Sequence, residues 1–224
     1  MAINIIRGFL VLFVILAHWS EGILERLPES VSSMSPYLAP VFSMGTPGFA
    51  LIYGVGAGYS LFSIYQSDPL RLKKILHKTV ILLSWGVLAL ALVHFAKTAM
   101  VSPKVSFTDF TNSFYSVLTF YLLISLTLSF WFRVILFSKY PAVWSLLLAL
   151  LFYSIHTFGI RYLGAYQAEG IIEFIKLLFT AKYSYFLMLT GTMIGIAIGM
   201  HIRQLVDDRQ SLGIYMLIGL ISIL

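Results

Sequence analysis

The chain has no cysteine. Disulfide frameworks, thiolate-based zinc sites and cysteine nucleophiles are therefore excluded together, and the redox compartment leaves no trace in the composition. Charge is scarce as well. Only 11% of the 224 residues are Asp, Glu, Lys or Arg, and none of the nine acidic residues falls inside an apolar run. No glycine-rich phosphate loop of the P-loop or dinucleotide-binding type occurs, so a nucleotide would have to be held by side chains. The five histidines include no i,i+4 pair and no carboxylate–histidine motif, and no metal is expected.

Apolar residues are abundant instead. They make up 59% of the sequence, and the mean hydropathy is +0.92. A soluble chain of this size would have nowhere to bury so much apolar surface, so the solvent is lipid. The net charge of +6 would point to nucleic acid in a soluble protein. Here the basic residues sit in short segments between apolar runs and report topology, so no nucleic acid is expected.

Runs long enough to cross a bilayer, at ~20 residues each, lie at Ile3 to Trp19, Tyr37 to Tyr65, Ile75 to Ala96, Phe114 to Phe137, Ala142 to Phe158 and Ser184 to Ile202. Ile3 to Trp19 reads as a span and not a cleaved leader, because His18-Trp19-Ser20-Glu21 lacks a small-x-small cleavage site. Leu212 to Leu224 is too short to cross, so a truncated seventh span is expected and the chain reads as the front of a longer protein. The expected fold is an all-α polytopic transmembrane bundle, with residues 1–224 forming one domain.

With the N-terminus inside, the cytoplasmic segments hold nine basic residues against three acidic ones, and the outer segments hold six against six. All the excess positive charge then falls on one side, as the positive-inside rule requires. A multi-pass protein of the plasma or inner membrane with a cytoplasmic N-terminus is expected. Between the fifth and sixth spans, Ile171, Ile172, Phe174, Ile175, Leu178 and Phe179 have the spacing of a short helix lying in the interface.

Glycine is concentrated in two places. Gly191, Gly195 and Gly199 share one face of the sixth span, where a neighbouring helix can approach closely. Gly54 and Gly58 share a face of the second span while Gly56 points elsewhere, which suits close approach of either a helix or a ligand.

Charged and titratable residues at bilayer depth need a reason, since insertion of a charge costs at least ~2.5 kcal/mol. Arg7 and His18 are about three turns and ~16 Å apart on one face of the first span. A cation at the cytoplasmic mouth can hold an anion, and an imidazole further along can take or deliver a proton. His94 and His156 also fall near outer span ends. Arg71, Lys73, Lys74, His77 and Lys78 form a basic stretch at the start of the third span, either a topology and headgroup determinant or a mouth for a polyphosphate.

Arg7 and His18 spell R-x10-H at the head of the first helix, and Phe49 to Tyr59 forms an apolar, glycine-rich run ending in Gly-Tyr. This pattern resembles the membrane acyltransferase superfamily, comprising the acyltransferase-3 family and its heparan-alpha-glucosaminide N-acetyltransferase-like relatives. Ala57 stands where that run usually has serine, and the prolines that usually precede the glycine-rich helix are absent. The resemblance implies transfer of an acyl group, acetyl above all, from cytoplasmic acyl-CoA to a hydroxyl or amine of an extracytoplasmic glycan or lipid-linked saccharide. It implies that His18 is general base or acyl relay and that Arg7 helps hold the donor. Arg71, Lys73 and Lys74 are added as contacts to the CoA phosphates from charge and sidedness. The rival reading is a transporter or exporter lined by glycine-broken helices, for which proton coupling would depend on histidine alone. A non-catalytic membrane partner is the third.

Overall fold

The computed structural model describes residues 45–101, 113–114, 116–167, 170–181 and 184–207. Every regular element among them is a helix. α1 (Gly45–Gly56) passes through one π-helical turn, Ala57–Leu61, into α2 (Phe62–Ser67). α3 (Pro69–Val101), α4 (Val117–Leu136), α5 (Pro141–Leu163), a short α6 (Gly170–Thr180) and α7 (Tyr185–Asp207) follow.

Five stretches are long and apolar enough to cross a membrane: Gly48–Ser67, Pro69–Met100, Leu118–Leu136, Pro141–Leu163 and Gly170–Val206. They correspond to the second through sixth expected spans. The first, Ile3 to Trp19, and the truncated seventh, Leu212 to Leu224, lie outside the described residues, so five spans stand where six and a fragment were expected. Many large apolar side chains point outward, among them Leu82, Trp85, Phe130, Leu150 and Tyr153. In lipid such surface needs no partner.

Two boundaries differ from the apolar runs. The third helix begins at Pro69 and not near Ile75, because Asp68 caps it: its Oδ1 accepts the Arg71 backbone N–H at 2.9 Å, with proline at the first helical position. The fifth runs on to Leu163, past the expected end at Phe158.

Inter-helix contacts set the directions. Tyr53 meets Ser125 and Phe62 meets Phe132, so the α1–α2 rod runs parallel to α4. Ser145 bonds the Met193 carbonyl while His156 bonds Ser184, so α5 runs antiparallel to α7. Gly86, midway along α3, lies against Leu118 at the start of α4, while Lys73 and His77 at the start of α3 share a lining with Arg133 near the end of α4, which makes α3 antiparallel to α4. The C-terminal ends of α2, α4 and α7 and the N-terminal ends of α3 and α5 therefore share one end of the bundle. Lys73, Lys74, His77, Arg133, Lys139, His201 and Arg203 are all found there.

α1 and α7 pack backbone against backbone. A Cβ on Gly54 would collide with the Thr192 carbonyl, one on Gly58 with that of Ile196, one on Gly195 with that of Leu51 and one on Gly199 with that of Val55. The open choice at Gly54 and Gly58 is thereby decided for helix packing.

α6 is present where the spacing placed it. Its exposed face carries Ile171, Ile172 and Ile175, whereas Glu173 and Lys176 pair at 3.3 Å and are mostly covered. Apolar residues outward suit a short helix sunk among lipid, not one lying on water. Its C-terminal end is tied down by His156, which is buried. His156 Nδ1 lies 2.6 Å from the Phe179 carbonyl oxygen and 2.8 Å from Ser184 Oγ. A carbonyl can only accept, so Nδ1 carries the proton and shares it between the two. Ser184 Oγ also accepts the Leu187 N–H at 3.1 Å, capping α7. Beside this junction Gly159 leaves room for Phe179, whose Cβ would sit 2.8 Å from an added methyl.

Two outcomes follow. Gly195→Ala should destabilise the detergent-solubilised protein by roughly 1–3 kcal/mol, the usual cost of overpacking. Gly86→Ala should cost little or stabilise, since only the flexible Leu118 Cδ1 stands near its Cβ and alanine gains up to ~1 kcal/mol of helix propensity. Equal melting temperatures for the two variants would refute the close backbone contact. For the α6 junction, His156→Leu should cost about 1–3 kcal/mol by stranding a buried acceptor and speed tryptic cleavage at Lys176. His156→Asn, whose amide nitrogen replaces Nδ1, should restore part of the protection, and His156→Gln should restore less. Unchanged cleavage in all three would rule out the latch.

Candidate functional site

The start of α3 and the second half of α4 border an open cavity of about 930 Å³. Its polar lining is arranged by helical spacing. On α4, Ser125, Ser129 and Arg133 recur every four residues and form a stripe ~12 Å long on one face. On α3, Lys73, Lys74 and His77 face the same space. The cations gather at the bundle end, and Leu76, Val80 and the outward-facing Leu126 and Phe130 supply the apolar lining. Ser125 is buried at the inner limit, where its hydroxyl lies 3.3 Å from the Tyr53 hydroxyl of α1.

Each helix end supplies these groups for a local reason. Arg133 stands in the last turn of α4, where a cation complements the exposed carbonyls. The Asp68–Pro69 cap starts α3 early enough that the whole basic stretch is helical, and Lys73, Lys74 and His77 fall at the i, i+1 and i+4 positions of one face. Tyr65 of α2 closes the side, its ring 5.7 Å from that of the buried Phe132.

Of the three residues assigned to donor phosphates, the structure brings Lys73 and Lys74 together and leaves Arg71 outside. Arg71 does not line the cavity, and its backbone N–H is engaged in the cap of α3. Arg133 lines it as well. The signal that could have found Arg133 is the spacing of four from Ser125 through Ser129, which a topology reading of the arginine passes over. Arg7 and His18 lie outside the described residues. His94 is exposed on α3, while His156 is held in the junction of α5, α6 and α7. Among the described residues no three His, Asp or Glu side chains stand close enough to hold a metal ion.

Chemically, a cationic rim above apolar walls accommodates a polyanion with an apolar or uncharged extension. Charge-assisted bonds would hold its phosphates at Lys73, Lys74 and Arg133, and the guanidinium adds a planar fork that a lysine lacks. The volume is within the usual range for small-molecule sites, ~300–1,000 Å³. The chain matches no family model, no curated protein and no solved structure.

Proposed function

We propose that this protein is a multi-pass membrane acyltransferase. In this reading it takes an acyl group, acetyl in the first instance, from acyl-CoA entering at the basic end of the bundle. It delivers that group to a hydroxyl or amine of a glycan or lipid-linked saccharide beyond the opposite membrane face. The observation that supports it best is the cavity between α3 and α4, with Lys73, Lys74, His77 and Arg133 at its mouth and serines leading inward. The positive-inside rule puts this basic end in the cytoplasm, where acyl-CoA is available.

CoA carries its negative charge on a pyrophosphate and a phosphomonoester, and its thiol end is an uncharged chain. Phosphates at the mouth and the chain directed along Ser129 and Ser125 would match that polarity. In the transfer, the acceptor's oxygen or nitrogen bonds to the acyl carbon and gives up its proton to His18, the thioester C–S bond breaks, and the CoA thiolate takes up a proton. In the relay form His18 is acylated first and the acceptor then takes the group from it. Arg7, on the same face of the first span, would hold the donor.

Donor binding is testable without knowing the acceptor. At a hundred times its dissociation constant, acetyl-CoA should stabilise the purified protein by ~2.7 kcal/mol, read as a rise in melting temperature. Lys73→Ala, Lys74→Ala and Arg133→Ala should each shrink that rise, whereas Arg71→Ala and His18→Ala should largely keep it. Absence of stabilisation by any acyl-CoA, short or long, would overturn the proposal.

A further inference from the structure

α3 is the barest span of the bundle. Only 11% of its apolar stretch is buried, against 33–44% in the other four. Its covered side carries Leu72, Leu76, Val87 and Ala91, with α4 as the main neighbour. The other side carries Ile81, Trp85, Leu88 and Leu92, exposed by 47, 67, 39 and 56%.

Bare apolar surface alone asks for nothing in lipid. Two polar groups on this side do. Trp85 is the midpoint of α3, ~24 Å along the axis from either end. Tryptophan is enriched at the membrane interfaces, where its N–H can reach water, and not at mid-depth. Ser84 is exposed beside it. Among the described residues neither the indole N–H nor the Ser84 hydroxyl has a hydrogen-bond partner. Other hydroxyls of the spans, such as those of Thr79, Thr127 and Thr190, donate to the carbonyl four residues earlier. In hydrocarbon the two groups left over have to be met by protein.

The spacing shows how. Positions 81, 85, 88 and 92 are four, three and four apart, which places Trp85 and Leu92 at a of a heptad, Ile81 and Leu88 at d, and Ser84 at g. Two copies inserted alike share one orientation, so a two-fold axis along the membrane normal pairs α3 with α3 in parallel. In such a pair the hole that receives an a side chain is formed by the facing d, g, a and d residues, here Ile81, Ser84, Trp85 and Leu88. The indole N–H of one copy then meets Ser84 Oγ of the other, and symmetry makes the bond twice. Ala89, exposed next to the seam, leaves room for two indole rings at the axis.

We propose that α3 is a self-association surface, on which two copies of this chain pair in parallel through Ile81, Trp85, Leu88 and Leu92 with reciprocal Trp85–Ser84 hydrogen bonds. The expected first span is another apolar segment of suitable length, but between Arg7 and His18 it has no polar side chain to accept the indole proton. The basic residues at the start of α3 approach their copies only at the membrane surface, where water and salt screen them. The seam starts one residue beyond Val80, the last α3 residue lining the cavity, and pairing does not require the acyl-transfer reading.

The absence of native cysteine makes the test direct. In native membranes oxidised with copper phenanthroline, Leu88→Cys should give a disulfide-linked dimer. Val93→Cys, 66% exposed but about 140° round the helix, should give little. In the Leu88→Cys background Trp85→Phe keeps a ring and loses the donor, and Ser84→Ala loses the acceptor. Each should weaken pairing ~10-fold through loss of two symmetry-related bonds, read from the dimer fraction as lipid dilutes the reconstituted protein. Ser84→Thr, which keeps a hydroxyl, should retain pairing, and Ser84→Ala combined with Trp85→Phe should be no weaker than either alone. Equal cross-linking of Leu88→Cys and Val93→Cys, cross-linking of neither, or pairing unchanged by Trp85→Phe or Ser84→Ala would overturn the proposal. So would an intramolecular link between Leu88→Cys and Leu12→Cys in place of the dimer.

Discussion

At Gly54, Gly58, Gly195 and Gly199 the backbones of α1 and α7 touch, with carbonyls of one helix where side chains of the other would stand. In lipid there is no gain from removing apolar surface from water, so helices associate through close van der Waals packing. Four glycines at a spacing of four make that contact as close as two helices allow. The rest of the bundle is arranged around this pair. α5 crosses α7 on one side through Ser145, and α4 lies along α1 and α2 on the other through Tyr53, Phe62 and Tyr65. The π-helical turn occurs where Gly58 meets Ile196, and the residues beyond it supply the Phe62 and Tyr65 rings at the basic end.

A second constraint is that polar groups in hydrocarbon must find partners within the protein. Many hydroxyls meet it locally. Thr79, Thr98, Thr127, Ser154, Thr157, Thr180, Thr190 and Thr192 each donate to the carbonyl four residues earlier. The hydroxyls that bond between helices carry more information. Ser145 reaches the Met193 carbonyl at 2.8 Å, and Thr127, Tyr185 and Trp131 form a cluster joining α4 to α7. These fix the rotation of each helix about its own axis, which apolar packing alone leaves loosely set. The stripe from Ser125 to Arg133 faces its cavity because α4 is held in this way.

The sequence made the spans legible because bilayer thickness imposes a length on them, and five of the expected runs reappear as helices. It also exposed the glycine contact, since a period of four survives any detail of packing. The early start of α3 was hidden because an Asp-Pro cap is a polar signal lying outside the apolar run. Neighbours in sequence also part in space: Lys73 and Lys74 border the cavity between α3 and α4, whereas Arg71 does not. Arg133 was read only as topology, because its partners come from a segment some sixty residues away and only the fold joins them. Arg7 and His18, which carry the resemblance to acyltransferases, fall outside the described residues.

Topology by itself asks little of a basic residue. Arg71 and Lys78, exposed at the same bundle end, fit the positive-inside rule and line neither of the two cavities there. Lys73, Lys74 and Arg133 border one cavity, and Lys139, His201 and Arg203 border another, with mutual repulsion inside each group. Long side chains can relieve such repulsion by snorkelling towards water. Snorkelling does not account for Ser125 and Ser129 descending from Arg133 at a spacing of four. An anion with a neutral polar extension would find both kinds of partner along that stripe, its charge met by the cations and its polar groups by the serines.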